Sequence, residues 1–298
     1  MMSSSIKTKR KLLVRSLLIA IGLLGFKLVV FFFTNATSIL ASAVDSLMDF
    51  LVSLVNFLFL KSASKPADHN HPYGHGKIES LAGLFQGVII AAMALGLAVM
   101  AVKRLIYPEF ISKPFLGVLI SFIGLILSLW HIRNLKKSVE QSNSQLMASE
   151  YLHYASDILA YLGVMVALIL YKFTGSPYWD PVVTLLIVIY ILRGVTGIFQ
   201  NALSELLDEQ LPDSVLKELD HIIRSSHPKV LDYHDLRTRR VGEAKFIEFH
   251  VVIKEEQFFS EAHNITETVV KKIQQTYPEA IVTAHADPED AEDIPGRH

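Results

Sequence analysis

Long apolar runs, separated by short polar connections, fill the first two-thirds of the chain. A helix that crosses the hydrocarbon core of a bilayer needs about 20 predominantly apolar residues. Runs close to this length lie at Leu12–Phe33, Thr37–Leu60, Ile78–Val102, Phe115–His131, Leu146–Tyr171 and Val182–Leu203. We predict six transmembrane helices. The first is interpreted as a span because its run is too long for a signal peptide and no small-residue cleavage site follows.

The pattern changes after about Asp208, where the chain becomes mixed, charged and typical of a small soluble domain. Apolar residues at helical and strand spacing predict, in order, a helix at Asp213–Ser226, strands at Val230–Arg239 and Ala244–Ile253, a helix at Ser260–Tyr277 and a strand at Glu279–Ala284. The order α-β-β-α-β predicts an α+β domain with helices on one face of a sheet. We therefore divide the chain into residues 1–208 and 209–298.

Composition agrees with a membrane protein. Hydrophobic residues make up 51% of the chain and charged residues 19%, whereas a soluble domain carries about 25% charged residues. The formal net charge of −1 gives no reason to expect a nucleic-acid partner. The chain has no cysteine, so disulfides and thiolate metal sites are excluded and any metal must be held by His, Asp and Glu.

The positive-inside rule gives an orientation for the six spans. Lysine and arginine occur in the amino terminus and in the predicted connections Lys61–Lys77 and Arg133–Lys137, but not in Thr34–Ala36 or Thr174–Tyr178. We therefore expect both termini in the cytoplasm. The basic residues Lys103, Arg104 and Lys113 lie on the other side and run against the rule.

Two predicted spans carry ionisable residues four positions apart: Asp45 and Asp49 in the second, His153 and Asp157 in the fifth. Residues at this spacing share one helix face. Two such faces turned together offer the four ligands of a tetrahedral zinc site. Because an intramembrane carboxylate costs at least ~2.5 kcal/mol, we favour this interpretation. The alternative is polar groups hydrogen-bonded within the bundle or facing an aqueous vestibule.

Two further sets of candidate ligands lie outside the spans. Asp68, His71 and His75 stand together in the loop after the second span, where a His-rich tract suits zinc; the alternative is a solvated loop. The second domain contains His234, His250, His263, His285 and Asp287. Spacing alone does not bring these five together, and surface histidine is their default interpretation.

Together the motifs resemble the cation diffusion facilitators, and within them the bacterial ferrous-iron/zinc efflux branch, which are zinc/proton antiporters. The resemblance covers nearly the whole chain and is carried by Ser42–Asp49, Asp68–Lys77 and His153–Asp157. It implies a bacterial inner-membrane protein with a six-helix transport domain, residues 1–208, and a cytoplasmic, metallochaperone-like α+β domain, residues 209–298, that binds metal and dimerises.

The resemblance also implies roles for particular residues. The transport site is Asp45, Asp49, His153 and Asp157; the loop site is Asp68, His71 and His75. The paired-metal site of the cytoplasmic domain is His234, His250, His263, His285 and Asp287. A charge interlock between Lys77 and Asp208 is a further implication. The expected partners are divalent ions, protons, the bilayer and a second copy of the chain.

The functional hypothesis is efflux of a divalent ion from the cytoplasm by proton antiport with alternating access. Zinc is the first candidate, and Cd²⁺, Fe²⁺ and Co²⁺ also fit a set that includes an imidazole nitrogen. The same ions would serve as structural or regulatory ligands. We expect no enzymatic activity, because the chain lacks a hydrolase motif and the set leaves no open position for water. The alternatives are a membrane-anchored metal sensor without transport, and uptake instead of efflux.

Overall fold

The computed structural model describes residues 4–34, 37–108, 114–142, 144–254 and 258–289; for residues 4, 34, 37–42, 44–45, 114–118 and 120 only the course of the backbone is described. The chain divides into two compact units, Met1–Leu203 and Ser204–His298. The elements within the described ranges are α1 (Ser4–Thr34), α2 (Thr37–Ala63), α3 (Ile78–Ile106), α4 (Pro114–Ser142), α5 (Gln145–Thr174), α6 (Trp179–Leu206), α7 (Asp213–Arg224), β1 (Val230–Val241), β2 (Ala244–Ile253), α8 (Phe259–Thr276) and β3 (Ala280–Pro288).

The helices α1 to α6 are each 27 to 31 residues long, more than the ~20 residues that a span needs. Within the described residues, five of them contain stretches apolar enough to cross a membrane: Ser5–Phe33, Ser46–Ala63, Ile78–Ile106, Gln145–Thr174 and Trp179–Leu206. The apolar half of α4 begins where only the backbone is described. The predicted multi-pass helical fold is confirmed, and the count of six spans is consistent with it.

One predicted connection is wrong. Residues Arg133–Lys137 are not a loop, because α4 continues without a break to Ser142. The residues that follow His131 include lysine, leucine, glutamate and glutamine, which favour a helical conformation. The helix therefore continues beyond its apolar part and does not end at His131. The break comes at Ser144, whose side chain caps α5 by accepting a hydrogen bond from the Met147 N–H.

Helix contacts connect α1 to α5 in the first unit. The helix α5 packs against α3 and α4, α1 packs against α2 and α4, and α2 packs against α3. An apolar cluster joins these helices near their amino-terminal or carboxyl-terminal ends, with Leu13, Leu60, Leu135 and Met147 fully buried. The two ligand-bearing helices, α2 and α5, thus belong to one packed bundle.

The second unit is a three-stranded sheet in the order β1-β2-β3, with β1 and β2 antiparallel and β2 and β3 parallel. Its core is formed by side chains of α7 (Leu219, Ile223), β2 (Ile247, Phe249) and α8 (Val269). The predicted α-β-β-α-β order is confirmed. The last strand runs to Pro288 and so extends beyond the predicted end at Ala284, which places His285 and Asp287 on the sheet.

Candidate metal centres

The transport set lies where α2 and α5 face each other. The Nε2 atom of His153 is 3.6 Å from Oδ1 of Asp49 and 3.7 Å from Oδ2 of Asp157. His153 is buried, while the two carboxylates are partly exposed. Asp45 lies one helical turn before Asp49 on α2, and its side chain is outside the described part of the chain.

These separations suit a shared ion. Two ligand atoms on one tetrahedral zinc ion lie roughly 3.4 Å apart, because each bond is about 2.0–2.2 Å long. Each carboxylate lies at about this distance from the His153 imidazole, Asp49 from the facing helix and Asp157 from the same helix. The ligand atoms of these three described residues do not all lie within 4.8 Å of one another, so a carboxylate must move before all three bind one cation. The structure therefore places His153 beside two of the three predicted carboxylates.

A buried polar network, which our sequence reasoning missed, lies one to two turns from this set. The Glu150 carboxylate accepts hydrogen bonds from the Asn56 amide at 2.7 Å and the Gln86 amide at 3.3 Å. The Ser149 hydroxyl donates to the side-chain oxygen Oε1 of Gln86. Glu150 is completely buried. Helical spacing could have indicated this network, because residues three or seven positions apart share one helix face. Asn56 follows Asp49 by seven residues, and Glu150 precedes His153 by three.

The loop set is held together by a tight turn before α3. Oδ1 of Asp68 accepts the backbone N–H of Asn70 at 3.0 Å and of His71 at 2.8 Å, and lies 3.1 Å from Nδ1 of His71. Nε2 of His75 is 3.5 Å from Oδ2 of Asp68. Hydrogen bonding, above all from the His71 N–H, holds the pKa of the Asp68 carboxyl below its usual value.

In the second unit, strand register aligns three histidines in one row. His234 on β1 is paired with His250 on β2, and His250 with His285 on β3. Neighbouring imidazole rings in this row are 5.0 Å apart. A register irregularity follows His234, and Asp235 adopts a positive φ of 52° there. Such bulges redirect the side chains beside them.

Asp287 completes this cluster from β3, two residues after His285 and therefore on the same face of the strand. Its Oδ2 is 2.8 Å from Nδ1 of His250 and 3.1 Å from Nε2 of His234, and its Oδ1 is 3.3 Å from Nε2 of His285. Asp287 is 2% exposed. Its ligand atom and those of His234 and His250 all lie within 4.8 Å of one another.

Two predicted residues are placed elsewhere. His263 lies exposed on α8, and within the described residues it is not part of the group that could hold one ion with His234, His250 and Asp287. Asp208, in the second unit, has a positive φ of 57° and pairs with Arg239 at 3.3 Å. Lys77 lies in the first unit at the start of α3. The Lys77–Asp208 interlock stays a prediction.

The fold and these clusters define a class, namely multi-pass membrane proteins with His/Asp clusters both between and beyond their spans. The Cation efflux transmembrane domain matches residues 13–207, and the Cation efflux protein, cytoplasmic domain, matches residues 211–289. The chain belongs to the cation diffusion facilitator family of cation efflux transporters. This confirms the resemblance carried by the sequence motifs, and the family is one of transporters rather than of catalytic enzymes.

Two relatives cover most of the chain, and a solved structure covers about a quarter of it. The cation-efflux pump FieF of Shewanella oneidensis is 34% identical over 269 residues, 90% of this chain and 90% of that protein. FieF of Escherichia coli K12 is 35% identical over 266 residues, 89% of this chain and 88% of that protein. The metal-bound C-terminal domain of the CzcD transporter from Thermotoga maritima is 26% identical, covers 27% of this chain and 96% of that chain, and has a TM-score of 0.25.

Proposed function

We propose that the protein exports a divalent transition-metal ion, zinc first among the candidates, from the cytoplasm in exchange for protons. The observation that supports the proposal is the position of the His153 imidazole on α5, within 3.7 Å of both Asp49 on α2 and Asp157 on α5. Ionisable groups inside a membrane are expensive, and such residues mark ion pathways. The imidazole nitrogen favours zinc and its neighbours over Mg²⁺ and Ca²⁺, which prefer oxygen ligands alone.

Proton exchange follows from the chemistry of the ligands. A carboxylate or imidazole must lose its proton before it binds a metal, so protons and metal compete for the same atoms. When the site is open to the cytoplasm, the ion displaces protons; when it opens to the other side, protons displace the ion. Alternating access of one site, with Asp45 as its fourth ligand, is therefore sufficient for antiport.

The other two clusters have separate proposed roles. His234, His250, His285 and Asp287 would hold a metal that stabilises the second unit and its dimer. His263, which lies apart from them, would bind the other ion of the paired-metal site that the resemblance implies. Asp68, His71 and His75 would bind metal at the membrane surface. We place both termini in the cytoplasm of a bacterial inner membrane and expect a homodimer. These assignments rest on the ligand types and on the family to which the chain belongs.

Zinc flux in proteoliposomes under an imposed pH gradient tests the transport proposal. The unaltered protein should carry zinc at a rate that depends on the gradient, and Asp157→Asn should lower that rate by at least about 100-fold, because an amide does not replace an anionic ligand. Asp180→Asn is the matched control, since Asp180 is an acidic residue of α6 that pairs with Arg104; its flux should stay within twofold of the unaltered protein.

Two outcomes would contradict the proposal in different ways. Equal flux from Asp157→Asn and the unaltered protein would remove Asp157 from the pathway. Stoichiometric zinc binding by the unaltered protein without any flux would favour the alternative of a membrane-anchored sensor.

A further inference from the structure

A lysine lies deep in the first span, although none of the proposed ligand sets uses it. Lys27 is residue 24 of the 31 in α1, and it is only 5% exposed. The nearby sequence is apolar on both sides, from Leu23 to Phe33. Ionisable residues inside spans are rare and mark functional positions by default, because an ammonium group is strongly disfavoured in the apolar layer.

The contact that Lys27 makes places its charge at the transport helix. The Nζ atom donates a hydrogen bond to Oγ of Ser46 at 2.6 Å. Ser46 is 1% exposed and stands directly after Asp45 and three residues before Asp49 on α2. A fixed cation thus lies against the ligand-bearing helix α2, within one turn of Asp45 and Asp49.

The formal charges of the metal-loaded ligand set indicate a role for Lys27. Within the ligand set, a divalent ion held by three carboxylates and a neutral imidazole leaves one excess negative charge, which the single charge of the Lys27 ammonium offsets. We propose that Lys27 is the fixed counter-cation that neutralises the metal-loaded ligand set, while the Glu150 carboxylate stays in its own hydrogen-bond network with Asn56 and Gln86. The inference rests on the proposed transport function. A neutral loaded site can change its access without moving net charge through the membrane field, and without the desolvation penalty of an uncompensated charge.

A packing role for the lysine side chain would give a different result from a charge role. Lys27→Gln keeps a hydrogen-bond donor for Ser46 but removes the charge, whereas Lys27→Arg keeps the charge and changes the shape. If charge is what matters, the arginine variant behaves like the unaltered protein and the glutamine variant does not. A packing role would instead be disturbed by both changes.

The test is isotope exchange of zinc in proteoliposomes with equal zinc and equal pH on both sides, so that the loaded site moves repeatedly. A membrane potential is then imposed with potassium and valinomycin. The unaltered protein and Lys27→Arg should exchange zinc at rates that the potential does not change. Lys27→Gln should exchange at least about tenfold more slowly, and its rate should change several-fold per 100 mV because the loaded site carries a net charge.

Arg104→Gln is the control for loss of a positive charge elsewhere, since Arg104 lies at the end of α3 and pairs with Asp180. Zinc exchange by this variant should remain independent of potential.

The potential dependence is the ratio of two exchange rates, with and without the potential, measured on the same variant. A misfolded fraction lowers both rates equally and leaves this ratio unchanged. Should Lys27→Gln not fold, Lys27→Met is measured in its place. Exchange by the uncharged variant that is as fast and as independent of potential as that of the unaltered protein would overturn the role of Lys27 and leave transport intact. Absence of both net flux and exchange in the unaltered protein would overturn the transport function and this inference with it.

Discussion

At the scale of single residues, Asp287 is a buried carboxylate surrounded by histidines of the second unit. Its carboxylate is 2% exposed and contacts one imidazole each of His234, His250 and His285, at 3.3 Å or less in all three cases. A buried carboxylate is stable only when it is hydrogen-bonded, paired with charge or bound to a metal. Histidines that ligate metals commonly have a carboxylate partner. Asp287 can therefore serve as a ligand and as the group that orients the histidine row.

Asp287→Asn should weaken zinc binding to the second unit by at least about tenfold, because the change removes the buried anionic group that contacts all three histidines of the row. The measurement is zinc bound per chain, by equilibrium dialysis of the detergent-solubilised full chain. Glu248→Gln is the matched control, since this exposed carboxylate lies two residues before His250 on the same strand. Equal affinities of the Asn variant and the unaltered protein would show that the histidine row does not need the carboxylate.

At the scale of elements, one buried ion pair joins the starts of three helices. Nζ of Lys9 on α1 donates to both carboxylate oxygens of Glu79 on α3, at 2.9 Å each. The same carboxylate accepts a hydrogen bond from Ser144, the residue that caps α5. Both members of the ion pair are buried. The end of the bundle where α3 and α5 begin is thus held by a polar network rather than by apolar packing alone.

Lys9→Met should destabilise the first unit by about 3–5 kcal/mol, because it leaves the Glu79 carboxylate buried without its charge partner. The double variant Lys9→Met/Glu79→Gln should recover much of this loss, since a neutral amide has no charge to desolvate. The measurement is the unfolding free energy or the melting temperature in detergent. If the single and double variants lose the same stability, the loss comes from packing of the lysine side chain and not from the orphaned charge.

At the scale of the whole molecule, the candidate ligands are divided between two units that each have their own core. The transport and loop sets belong to Met1–Leu203, and the row of histidines with Asp287 belongs to Ser204–His298. Because the members of each set belong to one unit, each unit has candidate ligands of its own and can bind metal by itself. A ligand that binds only the folded state stabilises it by about 2.7 kcal/mol at 100 times its dissociation constant.

We therefore expect zinc to slow amide exchange in both units, and the two effects to be separable. Asp157→Asn should abolish the protection around α2 and α5 and leave that of β1 to β3 unchanged, while Asp287→Asn should do the reverse. Hydrogen–deuterium exchange of the full chain, with and without zinc, measures both in one sample. Loss of protection in both units from either variant would show that metal binding in one unit depends on the other.

Much of the architecture was accessible from the sequence because it depends on local patterns. A run of about 20 apolar residues is enough to predict a span, and the helices α1 to α6 cover the six predicted runs. Local patterns failed where an element continued beyond its apolar part. The helix α4 extends past His131 to Ser142, and β3 extends past Ala284 to Pro288, because backbone hydrogen bonding and pairing with a neighbour maintain an element after its hydrophobic signal has ended.

The sequence by itself determined the ligand pairs of the spans, since helical periodicity places residues four apart on one face. Only the tertiary structure decided which faces meet. Helix packing sets Lys27 against Ser46, nineteen residues away, and strand register aligns His234, His250 and His285. Periodicity identifies the face of an element but carries no information about its partner, because the partner is selected by contacts between residues that are distant along the chain.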